Sequence, residues 1–275
     1  MSKPKIDGDG FQIVTSKRFS KNKPTKIPSR SYKLEQQDIL IDSDKTLRKI
    51  QAAFNDLKYS EYLKGILKAV STILQSKKVV EIVCFGLGHI GECQISRYQL
   101  AFLLCLKDIC GPEKVSVHDP IFYKTECEVL RQLGLYVIKE NKEGRYIISE
   151  QGVTIVYLPH CPKQLTNNFL WSNWSKNLAN CVLICNSFSS LIENQPGRIL
   201  CGTVPYIVEI FPYTTETVLE NNFKFTDIFN DTSVHYFTKQ SLENCPPEFW
   251  IKRDKPQYKN SEEFITSLMI EKLSI

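Results

Sequence analysis

Five short runs of near-continuous apolar residues recur between Val79 and Asn186, each separated from the next by a polar turn or a segment of helical spacing. They are Val79-Val-Glu-Ile-Val-Cys-Phe85, Val115 to His118, Leu135-Tyr-Val-Ile138, Val153 to Leu158 and Val182-Leu-Ile-Cys-Asn186. A strand wetted on one face alternates apolar and polar residues. These runs do not, so both of their faces must be covered. Strands joined by helices form a mostly parallel sheet with right-handed crossovers. Residues Gln94 to Lys107 and Tyr123 to Leu133 supply two such helices, the second stopped by Gly134, and Pro162 suits the first position of a third. Upstream, Ser43 to Gln75 is helical, with Ser60 as an N-cap and Tyr62, Leu63, Ile66, Leu67, Val70, Ile73 and Leu74 on one stripe. Gly144 precedes a short strand at Tyr146 to Ile148. Ile207 to Phe211 and Ser233 to Phe237 read as further strands, and Glu262 to Leu273 as a closing helix. The expected class is α/β: a doubly wound, mostly parallel Rossmann-like sheet with helices on both faces, in one domain over residues 34–275.

The 275 residues are 42% hydrophobic, ample for such a core, and no apolar run approaches the 18 or so residues of a membrane span. The N-terminus, MSKPKIDGDG, lacks the apolar segment of a secretory signal. Ten cysteines scattered through apolar runs read as reduced, mostly buried thiols in a cytosolic or nuclear protein. Charge is uneven. Residues 1–33 carry nine Lys or Arg against Asp7 and Asp9, a net +7 that leaves the remainder at −2 out of the whole-chain +5. This polar segment, broken by Pro4, Pro24 and Pro28, reads as a disordered basic tail. It is a solubilising tail or a nuclear-import or weak nucleic-acid contact. No aromatics interleave with its basic residues, so a base-stacking platform is not expected.

Gly86, Gly88 and Gly91 spell G-x-G-x-x-G directly after the first run. Such glycines let the backbone turn tightly and approach an anionic ligand at a helix N-terminus, or simply close a strand–helix turn. Asp119 ends the second strand 28 residues after Gly91, where an acidic residue can meet ribose hydroxyls; the usual interval is about 20. The longer interval suits a looser nucleoside site, such as one for S-adenosylmethionine, better than one for NAD. In a doubly wound sheet of order 3-2-1-4-5, strands one and four are neighbours, and ligands bind outside their carboxyl ends. The loop Leu158-Pro-His-Cys-Pro162 should therefore face the glycine loop, so that His160 and Cys161 line a crevice with Asn186 and Ser187 beside them.

Catalytic readings are weaker. A Cys–His pair adjacent in sequence seldom converges in space. G-x-S-x-G is absent, and a triad of Ser187, Asp231 and His235 has a turn entering a strand as its plainer alternative. No C-x-x-C occurs, there are four His, and Cys181 and Cys185 would lie about 13 Å apart in an extended strand, so no metal site is expected. Cys161-Pro162 and Cys245-Pro246 could offer haem an axial thiolate, though a Cys before Pro162 also fits a helix start. Trp171 and Trp174 are most simply core.

Five stretches carry a resemblance: Ser96-Arg-Tyr-Gln-Leu-Ala-Phe-Leu-Leu104, Val117-His-Asp-Pro-Ile-Phe122, Leu158 through Trp174, Cys185-Asn-Ser-Phe-Ser-Ser190 and Phe229-Asn-Asp-Thr-Ser-Val-His235. Taken in order, they resemble the "sensitivity to red light reduced" (SRR-like) domain family. The sequence departs from that pattern at Gly88-His-Ile-Gly91, where a serine-bearing loop is expected, and at Thr166, where an aromatic is expected. The resemblance implies a regulatory protein rather than an established reaction, with a role in circadian-clock input and, for some members, in haem biosynthesis. Fold analogy alone adds an alternative, an S-adenosylmethionine-dependent methyltransferase-like enzyme.

Overall fold

The structure, a computed structural model, describes residues 39–251 and 254–258. The basic tail and the closing helix expected at Glu262 to Leu273 lie outside the described residues. Two helices come first, α1 (Ser43–Lys58) and α2 (Glu61–Leu74). Asp42 caps α1 by accepting from Lys45 N, and Ser60 caps α2 by accepting from Leu63 N. The alternating core follows: β1 (Val79–Phe85), α3 (Gln94–Cys110), β2 (Lys114–His118), α4 (Lys124–Gln132), β3 (Tyr136–Val137), β4 (Val153–Leu158), α5 (Lys163–Ser172) and β5 (Cys181–Asn186). Beyond it lie α6 (Phe188–Asn194), α7 (Gly197–Thr203), α8 (Pro205–Ile210), β6 (Thr215–Val218), β7 (Thr232–Tyr236) and α9 (Lys239–Glu243).

One seven-stranded sheet runs β3-β2-β1-β4-β5-β7-β6. The first five strands are parallel; β7 is antiparallel to β5, and β6 to β7. Successive side chains of the central strands enter opposite layers. Ile82 and Cys84 of β1, Ile155 and Tyr157 of β4, and Val182 and Ile184 of β5 join the core under α1 to α4. Val83 and Phe85, Val156 and Leu158, and Leu183 and Cys185 join the opposite core with Phe169, Leu170 and Trp174. All ten thiols are free, six of them buried.

Three local expectations need correction, and one strand was missed. Tyr146 to Ile148 is not a strand, because the Asn173 side chain takes its backbone groups: Ile148 N–H donates to Asn173 Oδ1 (3.0 Å), and Asn173 Nδ2 donates to Tyr146 O (2.6 Å). Ile207 to Phe211 is not a strand. Pro205 opens α8, and Tyr206, Ile207 and Ile210 form a buried helical stripe. Pro162 is the N-cap of α5, one position before the helix starts. The strand β6 went unpredicted.

That last strand places Glu216 opposite His235 in the β6–β7 pairing. Glu216 Oε2 accepts from Ser189 N (2.9 Å) and Ser189 Oγ (2.6 Å), and Oε1 lies 3.5 Å from His235 Nε2. The His235 ring is fully buried and stacks on Phe188 at 4.0 Å. Phe188 N–H donates to His235 Nε2 (3.3 Å). Burial opposes the charge of Glu216, but the nearby His235 ring and the hydroxyls of Ser187 and Ser189 together hold its carboxyl well below the usual range. A depressed folded-state value stabilises above the ordinary 4.5, and that stabilisation is lost as pH falls below it. Glu216→Gln should therefore cost about 2 kcal/mol at pH 7, with a smaller gap to wild type at pH 3, as read by urea denaturation.

Candidate functional site

The crevice is built where β1 and β4 end side by side. After Phe85 the chain turns through Gly86 and Gly88, both in the left-handed region at φ +76° and +71°. Residues with a Cβ rarely adopt that region. A Cβ on Gly86 would also fall on Cys161 Sγ, well inside van der Waals contact. The two loops thus meet directly, and Cys161 Sγ–H donates to Phe85 O (3.1 Å).

All three glycine amides are taken from within the protein. Gly86 N–H donates to His118 O (3.1 Å), Gly88 N–H to Asp119 Oδ2 (2.8 Å) and Gly91 N–H to Glu126 Oε1 (2.9 Å). Asp119 Oδ1 accepts from Ile121 N as well (3.0 Å). Burial pushes the Asp119 carboxyl up, against these amides, which pull it down. Glu126 is fully buried on α4; its Oε2 accepts from Tyr123 N (3.0 Å) and pairs with His89 Nδ1 (3.0 Å). His89 in turn stacks on Tyr123 at 4.1 Å. One carboxylate on α4 therefore fixes both the last glycine and the histidine of the loop.

On the facing loop His160 is a non-glycine residue at φ +48°. Its Nε2 lies 3.1 Å from Asn230 O and its Nδ1 3.5 Å from Gln99 Nε2. The first contact needs Nε2–H, which leaves Nδ1 as acceptor. Cys161 is buried, and burial raises its thiol well above the ordinary value. A protonated thiol already bonded to a carbonyl is poorly set up to ligate haem iron. The triad of Ser187, Asp231 and His235 does not assemble. Ser187 Oγ caps α6 by accepting from Ser190 N, while His235 faces Glu216 and, at 3.6 Å, Cys185 Sγ. Among the described residues no three His, Cys, Asp or Glu side chains gather as metal ligands.

Two cavities open at this end of the sheet. The smaller, about 290 Å³, is lined by Gly86, Gly88, Asp119, His160 and Cys161, together with Gln99, His118 and Glu143. The larger, about 1400 Å³, is lined by His160, Cys161, Asn186, Ser187 and polar residues of α5 to α7. His160, Cys161 and Pro162 belong to both and form the wall between them. Gly91 lines neither. Sequence reading missed His118 and Glu126. The signal available for His118 was its place at the end of a strand, next to Asp119; Glu126 gave none beyond its place in the first turn of a helix.

A doubly wound sheet with cavities at its switch point defines a Rossmann-like protein with a crevice there, not a reaction. The family is specific: the chain belongs to the SRR1 domain family, whose profile matches residues 63–236. It is 31% identical over 267 residues to the SRR1-like protein of Drosophila melanogaster, covering 94% of each chain. It is 33% identical over 204 residues to the SRR1-like protein of Mus musculus, covering 62% of this chain and 82% of that one. Over 220 residues it is 27% identical to Protein SENSITIVITY TO RED LIGHT REDUCED 1 of Arabidopsis thaliana, covering 77% of each. Among solved structures it is similar to MtNAS in complex with MTA and tNA (TM-score 0.39, 16% identity, 74% of this chain and 71% of that one). A putative O-methyltransferase from Nostoc punctiforme aligns with TM-score 0.34 at 11% identity, covering 72% of each chain.

The loop contact is testable by a double-mutant cycle. Gly86→Ala should cost about 1–2 kcal/mol from its left-handed backbone, plus the clash with Cys161. In a Cys161→Ala background only the backbone cost should remain. The double variant should then be more stable than the sum of the single losses by at least 1 kcal/mol or so, measured by urea unfolding.

Proposed function

We propose that this chain is a regulatory protein whose switch-point cavity holds a small nucleoside-type ligand. The observation that carries the reading is the closure of the glycine loop and the His160–Cys161 loop around one cavity at the carboxyl ends of β1, β2 and β4. That is where doubly wound sheets bind their ligands. Membership of the SRR1 family supports a part in circadian-clock input. Regulation of haem biosynthesis is proposed as a second output, on the family resemblance alone. The protein acts in the cytoplasm or nucleus, in keeping with its free thiols. Among the described residues no helix is long and apolar enough to cross a membrane. The basic residues 1–33 supply a salt-sensitive contact with protein partners or nucleic acid.

A second reading, an S-adenosylmethionine-dependent transferase, is favoured by one further observation. The larger cavity abuts the smaller across His160 to Pro162, which leaves room for an acceptor beside a donor. Incubating cell extract with labelled methyl donor and the protein separates the readings, since only the transferase leaves label on an acceptor.

Purified protein should release a nucleoside on acid denaturation, seen by mass spectrometry, or gain several degrees in Tm with an added nucleoside. Gly88→Val should abolish that gain. It should also lower Tm modestly, because a Cβ there lies 2.9 Å from Ser96 Oγ on a left-handed backbone. A wild-type protein that no nucleoside stabilises and that releases none would overturn the ligand reading.

A further inference from the structure

The smaller cavity has an unusual hydrogen-bond polarity. Glycine loops that hold phosphate do so with free backbone N–H groups at a helix N-terminus. Here the amides of Gly86, Gly88 and Gly91 are committed to His118 O, Asp119 and Glu126. The carboxylates of half-buried Asp119 and buried Glu126 beside the loop repel a further anion. No Lys or Arg is among the described residues that line the cavity. Lys255 pairs with the lining residue Glu143 at 2.6 Å, and Arg97 is bonded to Gly91 O at 3.1 Å.

Beside the side-chain amides of Gln99 and Asn141, the cavity is lined by acceptors. His118 is 6% exposed and lines it. Its Nδ1 lies 2.9 Å from the carbonyl of Ile138 and must donate to it. Its Nε2 is buried and has no partner among the described residues. In a neutral ring that nitrogen carries a lone pair; a cationic ring would leave an N–H buried and unsatisfied, which is costly. Asp119, the next residue, accepts one N–H at each oxygen and so keeps lone pairs to spare.

We infer that this cavity recognises its ligand through hydrogen-bond donors, taking the vicinal hydroxyls of a phosphate-free ribonucleoside onto Asp119 and the free Nε2 of His118, and that it rejects phosphorylated nucleotides. The inference rests on the ligand reading above and narrows it to a class. A cationic substituent, such as a sulfonium or ammonium group, is compatible with the carboxylates; a phosphate is not.

The test is isothermal titration of the full chain with adenosine, guanosine, cytidine, uridine and S-adenosylmethionine, followed by the 2′-deoxy form and the 5′-monophosphate of the best-binding nucleoside (adenosine where S-adenosylmethionine binds best), and by ATP and NAD. The expected result is saturable binding of at least one phosphate-free compound. Affinity should fall at least tenfold for its 2′-deoxy form and at least tenfold for the monophosphate, ATP and NAD. His118→Phe, which keeps a ring against Phe85, should lose tenfold or more with its circular dichroism unchanged. A monophosphate, ATP or NAD that binds as tightly as the nucleoside overturns the inference while leaving a ligand site. Equal binding of the 2′-deoxy form overturns the hydroxyl contact. If nothing in the panel binds, the ligand reading itself falls and the inference with it. The selectivity series uses the wild-type protein, so a misfolded His118→Phe would not spare the idea.

Discussion

The pairing of β1 with both β2 and β4 is the constraint on which the site depends. Glu81 to Phe85 lie in parallel register with Lys114 to His118 on one side, and Glu81 to Cys84 with Thr154 to Tyr157 on the other. Burial on both faces leaves these strands little freedom. Ile82, Val83, Cys84, Ile155 and Val156 are each fully buried, and a shift of one residue would exchange the two cores. Because all three strands run the same way, they end together. The peptide that leaves β1 must turn at once, beside the peptides that leave β2 and β4. The glycines, the Cys161 thiol and the Asp119 carboxylate are answers to that crowding.

The crowding also explains why the loop is held by side chains. A turn with two left-handed residues leaves N–H groups that cannot join a helix or a sheet, and buried N–H groups need acceptors. In a phosphate-binding protein the ligand supplies some of them. Here Asp119 and Glu126 supply them permanently. Each carboxylate also holds a second element in place. Asp119 closes the turn at Ile121, and Glu126 starts α4 and holds His89. The loop is therefore held in shape by the protein's own carboxylates.

Much of this was legible in the sequence, and the parts that were not share a cause. The five parallel strands could be read because each is bounded by a turn and filled by β-branched and other apolar residues, signals that are local. Ser60 and Gly134 worked as punctuation for the same reason. Ile207 to Phe211 misled because a short apolar run fits a strand or a helix equally, and Pro205 was the deciding residue. Tyr146 to Ile148 misled because its backbone is satisfied by the Asn173 side chain, 27 and 25 positions away. The site was half legible. The meeting of the glycine loop with His160 and Cys161 followed from strand order alone. The commitment of the glycine amides did not, because it lies in contacts of Gly88 with Asp119 and of Gly91 with Glu126 across 31 and 35 residues.

The two cavities differ in kind, and the difference bears on how they could work together. The smaller is lined by Asp119 and His118 at the end of β2, with the amides of Gln99 and Asn141 beside them, whereas the larger is lined by the side-chain amides and hydroxyls of Asn186, Ser190, Asn194 and Gln195. His160 stands on the wall between them in a strained backbone conformation, its ring tied to Asn230 O from the β7 side. Strain of that kind persists only where neighbours over-determine it. Here the neighbours are Gln99 on α3 and the segment entering β7. Gln99 lines the smaller cavity and His160 lines both, so their contact ties one cavity's lining to the wall it shares with the other. The position of that wall is therefore set by packing from α3 and from the segment entering β7, rather than by the His160 loop alone.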